Sequence, residues 1–153
     1  MMFTPGSILY GLFDLKIERK NKYAIILHNN GFGFIVATFT TSQKRAGINP
    51  LHGKNPVDNP NCYVFKAGVV IGETPKGEDF SFRKDTVVVP DYGYSYETDS
   101  DFRSKVSNLH KVCKLHKQEF IELLHTLCKC KSLPREYRKL FEAELKIQTQ
   151  NQH

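Results

Sequence analysis

Three hydroxyls stand in a row at Thr40, Thr41 and Ser42, and Gln43 and the cations Lys44 and Arg45 follow at once. Hydroxyls hydrogen-bond the non-bridging oxygens of a phosphate, and cations offset charge that develops on phosphorus, so the combination suits a phosphodiester. The plainer reading is that Thr is a good strand residue and that Lys44-Arg45 belongs to a solvated loop. Side-chain alternation bears on the choice. Along "FIVATFTTS" it places Ile35, Ala37 and Phe39 on one face, suited to a core, and Val36, Thr38, Thr40 and Ser42 on the other. The second set would deliver hydroxyls to a rim. Across the preceding hairpin, Lys22 and Arg19 stand at the start of the neighbouring strand.

Metal ligation is the other chemistry to weigh. His110, Cys113 and His116 are spaced by threes, and His125, Cys128 and Cys130 follow. Zinc sites use these side chains, but no CxxC pair is present, and Cys128 and Cys130 project in different directions from one helix. Free thiols and solvated imidazoles are expected, with no metal and no cofactor. No thiol has a local His and third group to activate it. A phosphate-cradling glycine loop is also missing, because "NNGFG" precedes a strand and not a helix.

The elements that must position these residues read as strands first and helices last. "SILYGLF" (7–13), "KYAIILH" (22–28) and "GFIVATFT" (33–40) are short, β-branched and aromatic, and predict an antiparallel meander. "HNNGFG" is the hairpin signal between the second and third strands, with residues that tolerate the positive φ of a two-residue turn. A long surface loop is expected over 43–61, where Pro, Gly and Asn recur. Strands resume at 62–71 and 80–90, residues 91–102 read as a polar, aromatic excursion, and a short strand is expected at 109–115. Helices are expected over 116–130, capped at His116 with Glu119 in the first turn, and over 132–147, capped by Ser132 with Pro134 in its first turn. The fold class that follows is mainly β with C-terminal helices: a small SH3-like antiparallel β-barrel over 1–131, closed by its first helix, and a helical extension over 132–153.

At 153 residues the chain can bury a core without disulfides, so its four cysteines read as free thiols. The formal charge of +6 favours an acidic partner such as nucleic acid. No stretch approaches the roughly 20 apolar residues of a membrane span, and the first residues lack a signal peptide's charged start and cleavage site, so a cytoplasmic protein with no membrane partner is expected.

The succession "PGSILYGLFD", "KYAIILHNN", "FIVATFTTSQ", "FRKDTVVV" and "KVCKLHKQEFIELLH" resembles the MazF/PemK family of toxin ribonucleases over about residues 4 to 130. That resemblance implies an SH3-like barrel, usually a homodimer, that cleaves single-stranded RNA without a metal and is restrained by a cognate antitoxin. It places the family's catalytic Thr on Thr40, with Thr41 the near alternative. The family's Arg at the start of the second strand falls on Lys22, with Arg19 the nearest guanidinium; the Pro beside it is Tyr23, and the opening Asp is Ser7. The expected site is therefore Thr40, Lys22 and Arg19 for catalysis, with Thr41, Ser42, Lys44 and Arg45 binding substrate. Two alternatives stay open: a catalytically degenerate barrel that grips nucleic acid or a protein, and a gyrase-poison relative acting through its last helix.

Overall fold

The computed structural model describes residues 2–42, 50–54 and 62–150. The three apolar runs at the front of the chain form β1 (Ser7–Asp14), β2 (Arg19–Asn29) and β3 (Phe34–Thr41), an antiparallel meander. The β2–β3 connection is longer than a two-residue turn. It takes residues 30–33, with Gly31 and Gly33 at positive φ and the Asn30 side chain accepting the N–H groups of Phe32 and Phe34. A register shift between Ile26 and His28 accompanies it.

Residues 62–71 and 80–90 are not single strands. The first holds only β5 (Tyr63–Phe65), and the second holds the end of β7 (Asp79–Phe80) and β8 (Thr86–Val88); with β6 (Gly72–Glu73), just past the first range, these form the arms of one bent hairpin. Its outer half pairs β6 with β7, its base pairs β5 with β8, and bonds from Ile71 N–H to Phe80 O and Gly68 N–H to Phe82 O span the kink. β8 continues onto β3, and β6 continues onto β10 (Val106–Leu115), which pairs with β1. One hairpin thus reaches β3 at one edge of the meander and β10, beyond β1, at the other, and the sheet curls into a half-barrel. Gly72 permits the β6–β10 contact, because a Cβ there would fall 2.2 Å from the Lys114 carbonyl oxygen.

The segment 91–102 is more ordered than its polarity suggests. It holds β9 (Ser95–Thr98), which pairs with β3, and begins α1 (Asp99–Ser104), capped where Thr98 Oγ1 accepts the Asp101 N–H. A further short strand, β4 (Gly53–Lys54), pairs with β5. β10 is longer than the expected 109–115.

Both faces of the central strands are buried. Ile8, Ile25, Leu27 and Val36 face α2 (Lys117–Cys128) and α3 (Arg135–Gln150) in the main core, which includes Phe120, Leu123, Leu127, Phe141 and Leu145. Leu9, Ala24, Ile26, Ile35 and Ala37 face a second core closed by Phe3, Phe13 and Phe102 of α1. The expectation that β3 has one core face and one hydroxyl face is therefore corrected: Val36 belongs to the main core and Thr38 is buried. Only the last residues of the strand reach a rim. The helix caps also differ. His116 makes no side-chain cap bond, Glu119 turns to His52 and Tyr63 instead, Ser132 bonds to Cys130 and Asp91, and Pro134 precedes α3. None of the described helices is long and apolar enough to cross a membrane.

Candidate functional site

A cleft of about 470 Å³ opens where the start of β2 meets the end of β3 under the second arm of the bent hairpin. Lys20–Tyr23, Thr40–Ser42, Phe80–Lys84 and Thr86 line it, with Tyr10 of β1 at its side. Four of these side chains, Lys20, Lys22, Arg83 and Lys84, are cations, and no carboxylate is among the described residues that line it. Four ion pairs between described residues lie outside it, at His28–Glu144, His52–Glu119, Lys66–Asp85 and Lys105–Glu97. Such concentrated positive charge between low-dielectric walls raises the local concentration of anions.

The sequence builds this rim from the kink in the hairpin. Asp85 Oδ1 accepts the Ala67 N–H at 2.9 Å, and Thr86 Oγ1 donates to the Lys84 carbonyl at 2.9 Å, so the chain leaves strand geometry there. Phe82 anchors the arm in the core while its neighbours Arg83 and Lys84 stay exposed at the cleft. Opposite them the β3 hydroxyls are graded: Thr40 is 5% exposed, Thr41 is partly buried and Ser42 is exposed.

Lys22 is partly buried, and burial together with the neighbouring Lys20 ammonium pushes its pKa below the ordinary lysine value, against a smaller opposing pull from Glu18. Burial raises the Tyr23 phenol above its ordinary value, with Tyr10 adding to the rise and Arg83 opposing it.

Of the residues expected from sequence, Thr40, Thr41, Ser42 and Lys22 come together here. Arg19 does not line the cleft; it is exposed, and its Nη2 lies 3.4 Å from Ser107 Oγ. Its place at the strand start lies too far out along β2. Lys44 and Arg45 lie outside the described residues. Sequence reasoning misses Lys20, Arg83 and Lys84 as site residues. The available signal for the last two is the pair of cations immediately after a strand aromatic in "FRKD".

A second polar cluster has a structural use. The Lys66 N–H donates to His52 Nδ1 at 3.0 Å, so His52 carries its proton on Nε2 and donates it to Glu119, 3.0 Å away. Tyr63 donates to the same carboxylate. Both imidazole nitrogens are engaged, and the cluster ties the β4 region to α2. Two of the thiols offer little chemistry: burial pushes Cys113 up to about 12 and Cys128 up to about 11, far from thiolate formation at neutral pH. No three His, Cys, Asp or Glu side chains converge as a metal site among the described residues.

Compared with known proteins, the chain matches no family model and no curated protein.

Proposed function

We propose that the chain is a MazF/PemK-like endoribonuclease on an SH3-like barrel, cleaving single-stranded RNA at the cleft between Lys22, Thr40 and the Arg83–Lys84 rim. The observation that carries this reading is the composition of the cleft: four cations and the β3 hydroxyls gathered in one concavity, with no carboxylate among the described lining residues. In the proposed reaction the RNA 2′-oxygen bonds to the adjacent phosphorus and the bond from phosphorus to the 5′-oxygen breaks. The 2′-hydroxyl loses its proton and the departing 5′-oxygen gains one, leaving a 2′,3′-cyclic phosphate and a 5′-hydroxyl. Thr40 donates to a non-bridging oxygen, and Lys22 and Arg83 offset the charge of the phosphorane. Arg83 reaches the cleft from the facing hairpin and supplies a planar donor fork, whereas β2 brings to the cleft only the ammonium groups of Lys20 and Lys22. A homodimer and an acidic antitoxin segment that occupies the basic cleft belong to the same reading.

A second reading is a barrel that binds nucleic acid without cutting it. The observation favouring it is Lys22 in place of the guanidinium that the resemblance leads one to expect. Incubating the purified chain with a long single-stranded RNA in EDTA separates the two. Fragments ending in 2′,3′-cyclic phosphate support the nuclease; retention of intact RNA with measurable binding supports the binder.

A further inference from the structure

Three rings stand in a row across three adjacent strands. Tyr10 on β1 is directly opposite Tyr23 on β2 and His110 on β10. Ring centroids are 4.6 Å apart for Tyr10 and Tyr23, and 5.9 Å apart for Tyr10 and His110. The inner end of this row enters the main core, where Tyr23 packs edge-on against Phe82 with centroids 5.0 Å apart. At the outer end Tyr10 is partly buried and His110 is exposed. The His110 ring is held by a 2.9 Å hydrogen bond from Nδ1–H to the carbonyl of Asn108.

Completing the core accounts for Tyr23 and Phe82. It does not account for the outer rings, which keep surface open to water while Tyr10 lines the same cleft as the four cations. A polyanion without rings would engage the cations alone. A nucleic acid strand brings planar bases beside its phosphates, and only unpaired bases can lay a free face on a side-chain ring.

We propose that Tyr10, with His110 standing edge-on beside it, is a base-stacking platform that makes the cleft selective for single-stranded nucleic acid over other polyanions. A phosphate held against Thr40 and the cations places the neighbouring base over Tyr10. This inference rests on the nucleic-acid reading of the cleft and adds the residues that recognise a base.

The test uses the full chain and two labelled probes of equal length and charge: a 2′-O-methyl oligoribonucleotide, which lacks the attacking hydroxyl, and the same backbone with abasic sites throughout. The wild type should bind the base-bearing probe at least roughly tenfold more tightly than the abasic one. Tyr10→Leu keeps apolar volume but removes the ring, so it should abolish most of that difference while leaving abasic affinity and salt dependence intact. Tyr10→Phe should retain it. His110→Ala, at the exposed end of the row, should lose a smaller share and decides the matter if Tyr10→Leu does not fold. Equal affinity of the wild type for both probes, or retention of the full difference in the ring-less variants, overturns the platform alone. Failure of the wild type to bind either probe overturns the nucleic-acid reading of the cleft and the platform with it.

Discussion

His28 on β2 and Glu144 on α3 meet at 3.0 Å, Nδ1 to Oε1, at the junction of the sheet and the last helix. Glu144 is buried, and its other oxygen accepts from Gln148 Nε2 at 2.9 Å. Phe141 and Leu145, on the same helix, complete the main core. Removing the carboxylate leaves two donors without their acceptor, so Glu144→Ala should cost about 1–3 kcal/mol in a denaturant titration. A loss under about 0.5 kcal/mol, below the usual net worth of one hydrogen bond, would mean that apolar packing alone docks α3.

The pairing of β6 with β10 depends on a missing side chain. Gly72→Ala would push a methyl group into the Lys114 carbonyl and part β6 from β10. Overpacking of this kind costs on the order of 1–3 kcal/mol. Thermal melting of the variant checks it; an unchanged midpoint would show that the hairpin end yields without cost.

How much of this is legible in the sequence varies by segment. β1, β2, β3 and both long helices follow from local pattern, because their apolar spacing is set by one side chain after another. The arms of the bent hairpin read as continuous strands because the break at Asp85 is made by the Ala67 N–H, a partner on the opposite arm. β9 and α1 carry few apolar residues, and β9 exists because β3 offers it an edge. In the site, Lys22 and Thr40 are readable as ends of neighbouring strands. Arg83 and Lys84 are not, since only the fold of the hairpin over β2 brings them to the same cleft.

The depressed Lys22 pKa has consequences of opposite sign for stability and binding. Between the folded pKa and the ordinary value of 10.5, the unfolded chain holds more protons, so stability from this group rises with pH through that window. Anion affinity moves the other way, because the cleft loses a charge before an ordinary lysine would. Titrating affinity for the 2′-O-methyl probe from neutral pH upward should show a decline that Lys22→Arg shifts to higher pH. Superimposable profiles would contradict a role for Lys22 at the phosphate.

Arg83 and Lys84 should act on binding through counterion release. Arg83→Ala and Lys84→Ala are each expected to weaken binding and to flatten its dependence on log salt concentration by about one unit for each phosphate left without its cation. Salt titrations of affinity check this; slopes equal to the wild type's would place the nucleic acid elsewhere on the surface.

The central claim is that Thr40 stabilises the reacting phosphate more than it binds the ground state. Thr40→Val keeps the shape and strand propensity and removes the hydroxyl. The decisive measurement is the rate of single-stranded RNA cleavage by the wild type and by Thr40→Val at saturating protein. The account predicts cleavage by the wild type and a fall of roughly 10²–10³ in the variant, as for removal of an oxyanion donor, with affinity little changed. An equal rate in the two proteins, or no cleavage by the wild type, would contradict it.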